Sequence, residues 1–400
     1  MQPVFITAYT AVTACGFGTK ALRDALLEQR CCLEPPRLIQ PDFQTFTGEI
    51  SGPLPELSEA LKGYNTRNAR IALAGLDCEE RRFRNAVQDA VARYGSSRVG
   101  VIIGTSTSGI YETELAYKNH VEHDVFPEKF DLKLQHAWLA TAEYVKRELG
   151  LGGACYAIST ACSTSGKAVA AGQRFIETGV CDAMVVGGVD SICHMTLYGF
   201  NCLELISERP CTPLDRNRDG ISIGEGAGLL LLERERKQPG DAALIGYGES
   251  SDAYHMTAPH PEGEGSARAM QIALQMAGIE PNQLDYINLH ATGTKLNDAA
   301  EMQAMATVFS PEIPCSGSKG ITGHTLGAAG GIEAVITLIA MDAGFAPGTS
   351  GIREVDHAFS SRVLVENLEI PSMRIAMSNN FGFGGNNVSL IFAAGDANGI

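Results

Sequence analysis

Positive charge is scarce in this 400-residue chain: 31 lysines and arginines stand against 46 aspartates and glutamates, a formal net charge of −15. That balance argues against nucleic acid as a partner, because affinity there rests on neutralising phosphates with Lys and Arg. Paired CxxC spacing is missing as well. The eleven cysteines, among them Cys31, Cys32, Cys155, Cys193 and Cys315, are scattered through apolar surroundings and fit neither a disulfide framework nor a structural zinc site. A reducing compartment is expected. The opening stretch, MQPVFITAYTAVTACGFG, lacks the basic n-region of a signal peptide and looks like a first β-strand. The longest apolar helical stretch, GGIEAVITLIAMDAGFA, carries Glu333 and Asp342 and falls short of the roughly 18 uninterrupted apolar residues of a membrane span. A cytoplasmic chain without a membrane span is expected.

What the chain does contain is a large apolar fraction, 44%, enough for an extensive core and possibly two domains. Short β-branched runs (RVGVIIGT, AMVVGGVD, YINLHATGT) alternate with Ala-rich helical segments, which argues for an α/β fold with a buried sheet. The halves also echo each other. CYAISTACSTSGKAVAAGQRFIETG and PCSGSKGITGHTLGAAGGIEAVITLIAMDAG both read as strand, tight turn, helix. GISIGEGAGLLLLE and FGFGGNNVSLIFA both read as a Gly-rich turn feeding an apolar strand. Two related halves are therefore expected, residues 1–240 and 241–400, the first with a candidate nucleophile and the second with two histidines.

The candidate nucleophile is Cys162, in AISTACSTSG at the start of a helix. There the macrodipole and free backbone N–H groups are expected to favour thiolate and lower the thiol pKa. Taken alone, a cysteine among eleven is more often a core filler. It has company, however. His290 ends a strand in LHATGTKLND, followed by Thr292 and Thr294; His324 sits on the Gly-rich turn GSKGITGHTLGAAG; and SNNFGFGGNN supplies a loop whose backbone can approach a ligand closely.

In that order, TACSTS, RDGISIGEGAG, HATGTKLND, SKGITGHTLGAAGGIE and NNFGFGGNN resemble the β-ketoacyl-acyl carrier protein synthases, the elongating condensing enzymes of the thiolase superfamily, over nearly the whole chain. The resemblance implies a duplicated, five-layered αβαβα sandwich and a decarboxylative Claisen condensation. It also implies that Cys162 holds an acyl chain as a thioester and that His290 and His324 support loss of the malonyl carboxylate. Lys319 and Glu333 match the pair that positions the active-site histidine. The N–H groups of Cys162 and Phe383 match the oxyanion hole, and the Phe383 ring matches the gate to the acyl pocket. Thr292 and Thr294 match the hydroxyls that bind the phosphopantetheine arm, with Phe381 and Phe383 also lining the substrate path. No metal and no cofactor of the protein's own are implied, because the phosphopantetheine belongs to the acyl carrier protein. The implied partners are that carrier and a second subunit, either an identical copy or a chain-length-factor-like homologue.

Three further expectations follow. Lys62, Arg67 and Arg70 gather at a helix start and are candidates for docking the acidic carrier. Thr107, in GTSTSG, is expected to help close the acyl pocket across a dimer interface and set its depth, its hydroxyl suiting a saturated chain poorly and leaving aryl polyene or polyketide-type substrates open. Ala291 stands where relatives commonly have Gly, and Asn380 and Asn386 where they have Ser and Thr. Among rivals, a thiolase needs a second cysteine in the C-terminal Gly-rich loop, and NNFGFGGNN has none. A primer-condensing Cys-His-Asn enzyme puts Asn at the position of His324. A non-catalytic chain-length factor lacks the nucleophile.

Overall fold

A computed structural model describes residues 3–395; Met1, Gln2 and residues 396–400 lie outside it. Ten strands share one hydrogen-bonded path: β1 (Val4–Thr13), β2 (Val99–Gly104), β3 (Cys155–Ile158), β4 (Ala183–Asp190), β5 (Gly226–Glu233), β6 (Ala242–Ser251), β7 (Tyr286–Leu289), β8 (Cys315–Gly317), β9 (Ile375–Gly382) and β10 (Asn386–Ala393). Their spatial order is β3-β2-β4-β5-β1-β6-β10-β9-β7-β8. Read outward from the β1–β6 pairing, β1-β5-β4-β2-β3 on one side repeats as β6-β10-β9-β7-β8 on the other, with each strand five numbers on from its counterpart. This is the thiolase-like duplicated αβαβα sandwich.

The echoed segments are true counterparts. β3 leads into α2 (Thr164–Glu177) as β8 leads, through the short helix Lys319–Thr322, into α5 (Ala329–Ala343), and the two Gly-rich strands are β5 and β10. Helices α2 and α5 form the middle layer, each touching strands of both halves. The outer layers are α1 (Arg67–Tyr94) on one side and α3 (Glu264–Ala277) with α4 (Lys295–Val308) on the other.

The segment Leu326–Ala343 corrects an expectation. By length and composition it is apolar enough to cross a membrane, yet 89% of it is buried. Its hydrophobicity serves the middle layer, where a helix has no solvent face and so no polar stripe.

Close approach in that layer depends on glycine. A Cβ on Gly228 of β5 would lie 2.3 Å from the backbone nitrogen of Ile332 in α5, and one on Gly331 would lie 2.5 Å from the Gly228 carbonyl oxygen. Strand and helix therefore meet backbone to backbone. Neither can retreat without moving Glu333, two residues further along α5. Gly228→Ala is expected to cost about 3 kcal/mol or more by overpacking, read as a lower urea midpoint with an unchanged m-value.

Candidate active site

The loop between β3 and α2 presents Cys162 from a strained turn. Ala161 takes φ 54°, a left-handed conformation that costs a non-glycine residue about 1 kcal/mol. The turn is tied by Thr164, whose Oγ1 accepts from Thr160 N at 2.7 Å and donates to the Ala161 carbonyl at 2.5 Å. At the matching place in the second half, the turn before α5 presents His324, whose ring lies beside the thiol: Nε2 is 3.1 Å from Cys162 Sγ. His290 follows β7, its ring 5.3 Å from that of His324 and nearly perpendicular to it.

Hydrogen bonds on the far side of each ring decide the tautomers. Leu326 N donates to His324 Nδ1 at 3.2 Å, and the Lys319 ammonium, which can only donate, lies 3.1 Å from His290 Nδ1. Both Nδ1 atoms are acceptors, so a neutral ring carries its proton on Nε2. Burial, helped by the charge of Lys319, holds both imidazoles well below their usual pKa and hence neutral. Two Nε2–H donors result. That of His324 meets the thiol, and that of His290 faces the cavity without a partner among the described residues.

One donor atom each from Cys162, His290 and His324 lies within 4.8 Å of the others, a set that zinc could use. The residues do not fit the ion. Zinc needs the lone pair of an imidazole nitrogen, and here both Nδ1 lone pairs are engaged by N–H donors while both Nε2 atoms are protonated.

Lys319 and Glu333 stand behind His290, 1% and 3% exposed. Lys319 Nζ donates to His290 Nδ1, to the His290 carbonyl and to Glu333 Oε1. The other carboxylate oxygen accepts from Asn380 Nδ2. Burial pushes the Glu333 carboxyl up to about 7, against the downward pull of Lys319 and Asn380.

Phe383 N donates toward Cys162 Sγ. A Cβ on the neighbouring Gly382 would stand 3.0 Å from Cys162 N, so these backbone groups share one small space. The Phe383 ring packs on Phe200 at 5.5 Å, and Phe381 lies 6.3 Å from the His290 ring. Thr292 and Thr294, their hydroxyls 3.0 Å apart, line the same cavity as Cys162 and the two histidines.

Several cavity residues went unread in the sequence. Phe200, Leu205, Thr257 and Pro259 lie outside the quoted motifs, and Ile221 and Leu296 lie within RDGISIGEGAG and HATGTKLND without having been singled out. Glu301 and Asp298, three apart on α4, had a legible signal in buried acids just after the threonine turn. Glu301 accepts His290 N at 2.8 Å and Ala291 N at 2.7 Å, and Asp298 accepts Gly293 N at 3.2 Å. Together they hold the turn in which Ala291 takes φ 33°. The Ala291 methyl has room there because position 317 is glycine.

Three expectations need correction. Arg67 is not a free docking cation: Nε and Nη2 grip the fully buried carboxylate of Glu225 at 2.7 and 2.5 Å. Arg70 donates to the carbonyls of Pro55 and Leu54, which leaves only Lys62 exposed, paired with Glu59 at 2.6 Å. Thr107 is fully buried, is absent from the cavity lining, and donates to Asp190 Oδ1 at 2.7 Å. Its hydroxyl is therefore satisfied and presents no polar surface to an acyl chain. Finally, the Cys162 thiol is not lowered at the helix start. Burial pushes it up to about 11, overcoming the opposing pull of Lys319 and the Phe383 N–H.

Comparison with known proteins decides the family. The N-terminal domain model of the β-ketoacyl synthases matches residues 1–238 and the C-terminal domain model matches 242–353. The chain belongs to the β-ketoacyl synthase family. It is 35% identical over 330 residues to 3-oxoacyl-[acyl-carrier-protein] synthase 2 of Staphylococcus aureus, covering 77% of this chain and 81% of that one. The mitochondrial 3-oxoacyl-[acyl-carrier-protein] synthase of Arabidopsis thaliana is 40% identical over 270 residues, 63% of this chain and 59% of that one. Among solved structures, a chain of the complex of the ketosynthase ApeO with its chain length factor ApeC, from Xenorhabdus doucetiae, superposes with a TM-score of 0.91 at 38% identity, covering 98% of each chain.

Two outcomes test these assignments. Because the thiol titrates near 11, alkylation of Cys162 by iodoacetamide should keep rising about tenfold per pH unit from pH 7 to 10; a plateau by pH 8 contradicts the assignment. Arg67→Ala should cost about 3–5 kcal/mol by stranding the buried Glu225 charge, measured by denaturant titration, and should leave KM for carrier-bound substrate unchanged in the folded fraction.

Proposed function

We propose that this ketosynthase loads an acyl chain from a carrier protein onto Cys162 and extends it with malonyl-carrier protein, in fatty-acid or related polyketide or polyene chain building. The observation that carries this reading is the pair of Nε2–H donors beside Cys162, that of His324 on the thiol and that of His290 without a partner among the described residues. One acid-base residue would suffice for hydrolysis, whereas two neutral donors beside a nucleophile suit a reaction that generates an enolate.

In the first half-reaction the sulfur of Cys162 attacks the acyl thioester carbonyl. The N–H groups of Cys162 and Phe383 stabilise the oxyanion, and the departing phosphopantetheine thiolate takes up the proton lost from the cysteine. His324 Nε2–H steadies the developing thiolate. In the second, the malonyl thioester oxygen sits between the Nε2–H groups of His290 and His324. Breaking the bond to the carboxylate carbon releases carbon dioxide and leaves its electron pair in the enolate. The enolate carbon then attacks the acyl carbon on Cys162, and the sulfur leaves. Thr292 and Thr294 hold the phosphopantetheine arm. No cofactor is required beyond the one the carrier brings, and the reaction belongs in the cytoplasm.

A scaffold role as chain-length factor is disfavoured by the complete Cys-His-His set. The near-complete structural match to a chain of a ketosynthase–chain length factor complex supports pairing with such a homologue. A second ketosynthase structure with a chain length factor is 26% identical over 98% of this chain.

Acylation of Cys162 and malonyl decarboxylation can be measured separately. Cys162→Ala should abolish condensation. His290→Ala should lose decarboxylation by about 100-fold or more while mass spectrometry still detects acyl transfer to Cys162. Full condensation in Cys162→Ala overturns the reading.

A further inference from the structure

One residue behind the histidines has no part in the mechanism above. Asn380, on β9, is fully buried, and its amide Nδ2 donates to Glu333 Oε2. Its Oδ1 has no hydrogen-bond partner among the described residues. That oxygen is lodged between the middle helices: a Cβ on Gly166 of α2 or Gly330 of α5 would stand 2.9 or 2.7 Å from it. An unpaired buried carbonyl is a cost, so the side chain is placed for its N–H.

The geometry around Glu333 says what that N–H prevents. Oε1 is taken by Lys319, while Oε2 lies 4.0 Å from His290 Nδ1, the atom that must remain an acceptor. A small rotation of the carboxylate would bring Oε2 into hydrogen-bonding distance. A carboxylate at Nδ1 selects the Nδ1–H tautomer of imidazole. Nε2 would then turn a lone pair into the cavity, the wrong polarity for an enolate oxygen. Lys319 donates to Nδ1 itself and to Oε1, and among the described residues the Asn380 amide is the donor on Oε2, so it keeps that oxygen from competing with Lys319 for Nδ1.

We infer that Asn380 is a positioning residue that fixes the reactive tautomer of His290 by occupying Glu333 Oε2. This rests on the reading of His290 as the donor to the malonyl thioester. Serine keeps one donor there, whereas leucine has nearly the same shape as asparagine and none.

The test compares wild type, Asn380→Ser and Asn380→Leu in three measurements: acyl transfer to Cys162 by mass spectrometry, malonyl-thioester decarboxylation, and imidazole 15N spectra of histidine-labelled protein, with His290 assigned by its loss in His290→Ala. Acyl transfer should stay within about twofold in all three proteins, since the oxyanion hole is untouched. Decarboxylation should fall roughly 100-fold in Asn380→Leu, the cost of one oxyanion donor, and by much less in Asn380→Ser. The His290 proton should move from Nε2 to Nδ1 in Asn380→Leu alone. If that variant does not fold, Asn380→Ala carries the same expectations. Wild-type decarboxylation in the leucine or alanine variant, an unchanged His290 tautomer, or an equal loss in Asn380→Ser overturns the inference. A wild-type protein that loads Cys162 but does not decarboxylate malonyl thioester overturns the functional reading instead.

Discussion

A single buried cation organises this active site. Lys319 is removed from water with its ammonium pointing inward, and a charge so placed is tolerated only if its donors are all met. They are met by one ring nitrogen, one carbonyl and one carboxylate oxygen, which belong to the residue after β7 and to helix α5. Three donors on a tetrahedral nitrogen fix the relative placement of those elements more tightly than apolar packing would. Because Lys319 cannot accept, it also dictates which nitrogen of His290 bears hydrogen. Structure and chemistry thus rest on the same three bonds, and removing either charged partner strands the other at about 3–5 kcal/mol.

The duplicated fold explains how such a site arises from distant parts of the chain. The turn before α2 and the turn before α5 occupy matching places in the two halves, and one presents Cys162 where the other presents His324. The middle helices can bring those turns together because their contacts with each other and with β5 are made through glycine. At Gly166, Gly330, Gly331 and Gly228 a methyl group would strike backbone or the Asn380 side chain within 3 Å. What is geometrically a packing requirement is therefore also what sets the 3.1 Å between nucleophile and histidine.

The parts legible in the sequence were those written in local pattern. Strand, turn and helix repeat twice around Cys162 and around His324, and glycine spacing marks where backbones approach, so the sandwich and the Cys162, His290 and His324 set could be read from one dimension. What could not be read depended on partners far along the chain. Arg67 looks like a solvated helix-start cation until Glu225, 158 residues away, is seen beneath it. Thr107 looks like a pocket floor until Asp190 accepts its hydroxyl. The macrodipole argument for Cys162 was sound in sign but omitted desolvation, the larger effect once the thiol is 6% exposed.

The electrostatics of the finished site favour loss of a carboxylate over its retention. A malonyl carboxylate entering this cavity meets Phe200, Ile221, Phe381 and Phe383, with the Lys319 charge already spent on Glu333 and His290 behind the ring. No free cation among the cavity-lining residues stabilises the ground state. As carbon dioxide departs, negative charge moves onto the thioester oxygen, where neutral Nε2–H donors are already oriented and no solvent must reorganise. Interactions that appear only as charge migrates lower the barrier without deepening the well before it. A protonated histidine would spoil this, because an imidazolium attracts the carboxylate as strongly as the enolate. Burial that keeps both rings neutral, and a lysine placed behind them rather than beside the substrate, are the features that convert a binding pocket into one selective for the transition state.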